Sequence, residues 1–368
     1  MSKPTYSRAQ VQANDGTGGK PAWMIVNGEV LDVTKFAGGH PGGEKAILDY
    51  AGKDATKIFY SLHRHEVLEK RLQRLKVGNV EGYDAKSAPQ TWKQLSPVPY
   101  AEIDMNQSFY NESHRRWRLV VREWLFDEGV LEWSETAEMS GEYPTKELFQ
   151  KCGRAGLLAV FQGVGPHLSR VPEPNLFTKA GIKPQDIDLF HISIAVEEHK
   201  RLCCPGAEDG IASGISIGLG PVLKFGPKWM QGDLVQSILL GDKVICLAIT
   251  EPYAGSDVAG VLATAVKSRD GSHYVVNGTK KWITNAVFAD YFTTLVRLGD
   301  SKDLAMLLIP RTEGVTVRSI PTDYAMSAGT GLISFENVVV PADHLIGKEG
   351  EGMKYTMCVC CQTAFPRD

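Results

Sequence analysis

Apolar and polar positions follow three textures along this chain of 368 residues, and the changes of texture divide it. Near the start, "WMIVNGEVLDVTKF" sets short apolar runs on either side of Asn27-Gly28, a dipeptide that accepts the positive φ of a tight hairpin turn, and predicts two strands. Pro41, Gly42 and Gly43 then permit a sharp reversal before a helix from about Glu44 to Tyr50, ended near Gly52. Asp54 is placed to cap a short helix running through Phe59, and Leu68, Leu72 and Leu75 form the stripe of a third helix at i, i+4 and i+7. His40 therefore stands at a rigid corner, and His63 in the turn between two helices.

The second texture is helical. "HRRWRLVVREWLFDEGVLEW" brings Trp117, Val120, Val121, Trp124 and Leu125 to one side at spacings of three and four, with charges expected on the other. "TKELFQKCGRAGLLAVF" and "ISIAVEEHKRLC" read as further helices, separated by a Pro-rich loop around residues 165–187. The adjacent Glu197, Glu198 and His199 are expected to lie on a solvated face, because neighbouring residues on a helix diverge. From "KVICLAIT" onward the chain turns to short β-rich runs, with tight turns expected at Asp270-Gly271 and Asn277-Gly278, which predicts a compact barrel or sandwich. Between the first texture and the second, "GYDAKSAPQTWKQLSPVPYAEIDM" carries prolines 89, 97 and 99 and no helical stripe, as a linker does. The expected organisation is a small α+β domain over residues 1–82, a linker over 83–105, a helical domain over 106–243, a β domain over 244–345 and a tail over 346–368.

Composition narrows the function classes. Hydrophobic residues at 43% and charged residues at 23% fit a folded globular protein and argue against disorder. A formal charge of -3, with no long basic block, makes nucleic acid an unexpected partner. No apolar run reaches the roughly 18 residues of a membrane span, and no signal or transit pattern opens the chain, so a cytoplasmic protein without a membrane span is expected. Seven cysteines without paired spacing read as reduced thiols, and the cluster of Cys358, Cys360 and Cys361 lacks a second ligand pair.

Two sets of residues carry candidate chemistry. Imidazole nitrogen is a good ligand for haem iron, and two corners holding His40 and His63 would leave no coordination position open, so such an iron could only pass electrons. Taken alone, His-Pro-Gly-Gly reads more readily as a turn and His63 as a surface residue, with His65 as an alternative ligand and zinc as a weaker one for lack of ligand spacing. The other set is "LAITEPYAGSDVAG", residues 247–260, where a strand end, the Thr250 and Ser256 hydroxyls, and the small Ala254 and Gly255 would let a flat ligand approach backbone N–H groups. By itself it reads equally as a polar loop.

Over residues 20–82, "GHPGGEKAILDYAGKDATKIFYSLH" resembles the haem-binding core of cytochrome b5. The resemblance implies haem b with His40 and His63 as axial ligands, and Phe36, Leu48, Phe59 and Leu72 as slot walls. "LAITEPYAGSDVAG" with "VNGTKKWITNA" at residues 276–286 resembles the acyl-CoA dehydrogenase family, a likeness extending from roughly Arg115 to Met353. It implies FAD along Leu247, Ala248, Ile249, Thr250 and Ser256 and along Trp282, Ile283 and Thr284, with Thr250 and Thr284 bonding the isoalloxazine edge. Trp282 would shield one face of the ring, although a packing role inside the β domain fits the same position, and Ser256 would also meet an acyl-CoA substrate.

The family takes its catalytic carboxylate from a C-terminal helical bundle. "YTMCVCCQTAFPRD" does not resemble that bundle, so it is expected to be missing here, and with it the assembly surface of a homo-oligomer. Glu251 is tied to the flavin loop, and no catalytic residue is assigned. The expected function is α,β-dehydrogenation of a CoA thioester coupled to a bis-histidine haem, with an unidentified electron donor or acceptor. A haem electron carrier attached to an inactive dehydrogenase remnant is the alternative.

Overall fold

The computed structural model describes residues 4–40, 43–63, 72–82, 110–127 and 129–362; for Ser61, Leu62, Asp127 and residues 358–362 it describes the backbone alone. The chain divides into two compact units between Tyr110 and Asn111. The expected linker, His65 and Leu68 lie outside the described residues, as do the side chains of Cys358, Cys360 and Cys361.

The first unit contains β1 (Thr5–Tyr6), α1 (Arg8–Ala13), β2 (Trp23–Val26), β3 (Glu29–Asp32), α2 (Glu44–Leu48), α3 (Thr56–Leu62) and β4 (Lys76–Val80). Its sheet has the order β1-β4-β3-β2. The β2–β3 hairpin closes where expected, with Val26 opposite Glu29 and positive φ at Asn27 and Gly28. Period two then sorts the strand residues by face. Met24, Val26 and Leu31 join Phe59 and Leu72 in one cluster, while Ile25, Val30 and Val80 join Val11 in another. Asp54 is not the cap of α3, which is Ala55; it lies one residue earlier and accepts from the Thr56 N–H at 3.1 Å and its hydroxyl at 2.6 Å, tying the first helical residue.

The second unit opens with α4 (Glu112–Asp127), α5 (Val130–Ser140), α6 (Lys146–Ala155), α7 (Leu157–Phe161), α8 (Asn175–Ala180), α9 (Leu189–Lys200), α10 (Pro205–Gly218), α11 (Gly220–Phe225) and α12 (Val235–Leu239). Two stretches expected to be single helices are each broken by a glycine in the left-handed region, Gly129 between α4 and α5 and Gly156 between α6 and α7. Then come β5 (Ile245–Ala248), β6 (Thr264–Lys267), β7 (His273–Ile283), β8 (Tyr291–Leu298), β9 (Leu304–Pro310), β10 (Val315–Ser319), β11 (Gly331–Pro341) and β12 (Leu345–Ile346), followed by α13 (Gly352–Gln362). The sheet runs β10-β11-β7-β6-β8-β9-β12, and β5 pairs in parallel with β8 beside β6. Asp270-Gly271 makes the β6–β7 turn. Asn277-Gly278 makes no turn: it lies inside β7, opposite an extra residue in β11, and Asn277 is pinned there by reciprocal bonds with Asn337 of 2.8 and 3.1 Å. Among the described residues, no helix is long and apolar enough to cross a membrane.

The helical and β layers meet along α10. A Cβ on Gly214 would stand 2.3 Å from Asn285 Oδ1 and 2.5 Å from the Ile245 carbonyl, so only hydrogen fits between the helix and β5.

Charges do not all face solvent. Arg118 and Arg122 of α4 turn inward to Glu198 on α9, which is 1% exposed and takes bonds of 2.7 to 2.9 Å from both guanidinium groups. Arg118 and Arg201 also hold Glu197; burial alone would raise its carboxyl, but these two guanidinium groups bring it down to about 2. Glu197, Glu198 and His199 are thus a helix–helix fastening instead of the expected solvated face. His199 packs against Phe161, and burial pushes its imidazole down to about 3. It stays neutral in the fold but takes a proton near its ordinary value once unfolded. Stability should therefore fall as pH drops through 6.5, by at most about 1.4 kcal/mol per pH unit from this one group. His199→Leu should make the decline between pH 6.5 and 5, above the carboxylate range, shallower in urea-unfolding midpoints.

Candidate functional site

His40 follows the short 3-10 turn Ala37–Gly39, and His63 ends α3. Their rings lie close and tilted to one another, with centroids 5.7 Å apart at 48°. The Nδ1 of His63 lies 3.2 Å from the Phe59 carbonyl, and that of His40 makes a longer 3.4 Å approach to the carbonyl of Gly43. A ring nitrogen beside a carbonyl oxygen carries the proton, which leaves each Nε2 with its lone pair free for a metal. Burial, opposed by the Phe59 carbonyl and aided by His40, lowers the basicity of His63 and favours this neutral form. Phe59 stacks on His63 at 4.8 Å, and Phe36 meets His40 edge-on at 5.8 Å. Of the four residues expected to wall the slot, Phe36, Phe59 and Leu72 gather in one hydrophobic cluster, with Ile47 and Ile58, which the sequence did not single out, packed against it. Leu48, 42% exposed, lies outside this cluster.

The two segments expected to hold a flavin lie side by side in the second unit. Leu247 and Ala248 end β5, opposite Thr293 and Thr294 of β8, and Ile249 and Thr250 leave the sheet. There the Lys281 N–H donates to the Thr250 carbonyl at 2.8 Å, tying one segment to the other. Ala248 and Ile283 are buried in the β core, so they can offer a ligand little beyond their main chain. Leu247, Ile249, Thr250 and Thr284 are half-buried and Ser256 is exposed. Trp282, at φ 64° and 52% exposed, does not fill the interior; the Lys281 ammonium lies 4.8 Å over its ring.

Beneath these segments lie groups that sequence reading passed over. Asn285, at φ 66° and 1% exposed, accepts from Gly214 N–H at 2.7 Å and donates to the carbonyls of Asp209 at 3.0 Å and Ala328 at 2.9 Å. The Arg311 guanidinium donates to the carbonyls of Ala286, Val287 and Ala289. Lys280 is fully buried and pairs with Glu251 at 2.8 Å. Burial, only partly offset by Glu251, lowers its ammonium to about 8. The asparagine directly after "WIT" was the one available signal for Asn285; nothing local marks Arg311.

A third cluster, His114, Asp188 and His191, has the residue types of a metal centre but not the protonation. His114 Nδ1 accepts the Asn111 N–H at 3.0 Å, so Nε2 holds the proton and donates it to Asp188 at 3.0 Å. Asp188 also caps α9 through the His191 N–H at 3.1 Å. The cluster fastens α4 to the start of α9.

Comparison with known proteins gives two family matches: "Cytochrome b5-like Heme/Steroid binding domain" over residues 7–81 and "Acyl-CoA dehydrogenase, middle domain" over residues 246–338. The acyl-CoA dehydrogenase apdG of Emericella nidulans is 35% identical over 272 residues, covering 72% of this chain and 62% of that protein. The mitochondrial short-chain specific acyl-CoA dehydrogenase of Bos taurus is 32% identical over 276 residues, covering 73% and 60%. The crystal structure of an acyl-CoA dehydrogenase from Geobacillus kaustophilus superposes with a TM-score of 0.57 at 24% identity, covering 70% of this chain and 63% of that one, which speaks for the fold. The chain spans about 62% of the length of the first of these curated relatives.

The bonding of Asn285 generates a prediction. Asn285→Ala removes three bonds from buried main-chain groups and puts a Cβ residue without a compensating side chain at positive φ, which should cost roughly 3–4 kcal/mol. Urea unfolding of the variant against wild type measures it.

Proposed function

We propose that this chain, which matches a cytochrome b5-like domain and the middle domain of acyl-CoA dehydrogenases, dehydrogenates an acyl-CoA thioester on FAD and exchanges the electrons through a bis-histidine haem. The observation that carries this reading is the Lys281 N–H to Thr250 carbonyl bond, which makes one continuous edge of two segments some thirty positions apart.

The residues fit both groups. Gly255 has open space where a side chain would stand, Thr250 and Thr284 offer hydroxyls at the edge, and the exposed Trp282 offers a face. In the first unit, two imidazoles lie with ring centroids 5.7 Å apart, each with Nδ1 beside a main-chain carbonyl and an aromatic ring against it. Bound FAD supplies a two-electron acceptor that also releases electrons singly, and bound haem supplies a one-electron carrier.

The chain's own residues then have distinct work. His40 and His63 would hold the iron from both sides, with their carbonyl partners fixing ring orientation. Thr250 and Thr284 would orient the flavin edge and stabilise charge there. Trp282 would keep water from one face, and Ser256 would meet the acyl-CoA. Glu251 is unavailable as a base, since both oxygens are engaged: Oε1 by Lys280 and Ala263 N–H, Oε2 by Leu262 N–H. The second reading is a haem electron carrier whose dehydrogenase part is inactive.

Purified full chain supplied with haem and FAD separates the two. A sharp Soret band together with a flavin band that bleaches anaerobically on adding acyl-CoA is expected. A flavin band that no acyl-CoA bleaches favours the carrier, and a protein that takes up neither chromophore overturns both. His63→Ala should abolish the six-coordinate haem spectrum and leave flavin content unchanged; persistence of that spectrum would move the ligand role to another residue.

A further inference from the structure

We infer that Lys280 and Glu251 are positioning residues of the flavin site: one buried ion pair that sets the segment from Ile249 to Ala263 in register with β7. The inference rests on the flavin reading above and deepens it.

The pair does more than neutralise charge. Lys280 Nζ donates to Glu251 Oε1 at 2.8 Å and to the Ile249 carbonyl at 2.9 Å. Glu251 in turn accepts the N–H of Leu262 at 2.6 Å and of Ala263 at 3.0 Å. Both ends of the segment are thereby gathered on a single ammonium, with Ser256 and Ala254 on the excursion between them. Thr250 stands between the two residues that Lys280 holds, and its own carbonyl is held by Lys281. Trp282 follows immediately. The two expected contact segments thus inherit their spacing from one lysine and its neighbour.

Stability alone is a poor reason for this arrangement. Taking both charges out of water is expensive, and an apolar pair of similar volume would commonly serve packing as well or better. An apolar pair cannot bond two amides and a carbonyl at once, so geometry is what the ion pair adds. The neighbouring left-handed φ of Trp282, 64°, is consistent with a segment held where it would not otherwise rest.

The test uses the full chain. Apo wild type, Lys280→Met, Lys280→Arg and the double variant Lys280→Met/Glu251→Leu are compared for FAD affinity by fluorescence titration, for the shape of the bound flavin's visible band, and for apo thermal midpoint. Lys280→Met leaves an unpaired buried carboxylate and can fail to fold; the double variant removes both charges. Folded double variant with FAD affinity weakened at least about 30-fold and an altered flavin band is expected, with partial recovery in Lys280→Arg. A double variant that binds FAD as wild type does, with an unchanged band, overturns the inference. A measurement on wild type alone decides if no variant folds: the Leu262 and Ala263 amides should resist hydrogen exchange before FAD is added, and rapid exchange that FAD alone suppresses overturns preorganisation. Wild type that takes up no FAD is a different failure, removing the flavin reading itself and this inference with it.

Discussion

An ammonium group cut off from water persists only where oxygen atoms replace its hydration, and Lys280 finds them in Glu251 and the Ile249 carbonyl. Those oxygens belong to a segment about thirty positions earlier in the chain, so satisfying the charge also fixes where that segment runs. The carboxylate passes the constraint on, since its remaining capacity goes to the Leu262 and Ala263 amides. Asn285 extends it to the helical layer through Gly214 N–H, at a point where α10 comes too close for any side chain. Burial of one charge and one amide thus links the loop, the strand and the helix that make the edge of the proposed flavin site.

The same rule shapes the helical layer at a different place. Glu198 could be buried between α4 and α9 only with counter-charges at hand, and Arg118 and Arg122, one turn apart, supply them. Asp188 does related work at the start of α9, where a helix terminus with unsatisfied N–H groups meets two imidazoles. In the first unit the polar groups are used otherwise. There, two carbonyls hold the Nδ1 sides of His40 and His63, and the opposite ring edges remain available.

What was legible in the sequence follows from the range of the interaction that decides each feature. The Asn27-Gly28 turn and the short apolar run of Trp23–Val26 depend on neighbours a few positions away, and the hairpin turn and the strand appear where expected. The apolar stripe of α4 was equally readable, yet its extent was not, because Gly129 interrupts the pattern while the apolar residues continue beyond it. Arg118, Arg122, Glu197 and Glu198 read as solvated because each helix was considered alone; their partners lie about eighty residues away. Asn277-Gly278 carried a turn signal that β11 overrode by supplying Asn337 opposite it. Of the expected flavin residues, their proximity was implicit in the paired motifs, but what Lys280 and Arg311 hold was invisible: Arg311 bonds main-chain carbonyls without sequence identity, and Lys280 bonds another such carbonyl and a glutamate about thirty positions away.

Trp282 shows how these fastenings act together. A tryptophan at positive φ costs about 1–2 kcal/mol in backbone strain, and left unrestrained it would relax to an ordinary strand conformation. It is not free to relax. The preceding residue is held by the Thr250 carbonyl, and the following one, Ile283, is buried and paired with Gly331 of β11. Two positions beyond Ile283, Asn285 is fixed by its own three bonds. With its neighbours determined on both sides, the only freedom left is in the indole, and the strained backbone turns it outward, away from a core where an aromatic ring would otherwise be expected to pack. An exposed, backbone-locked ring is a poor way to stabilise a β domain and a good way to keep a flat surface ready for a ligand.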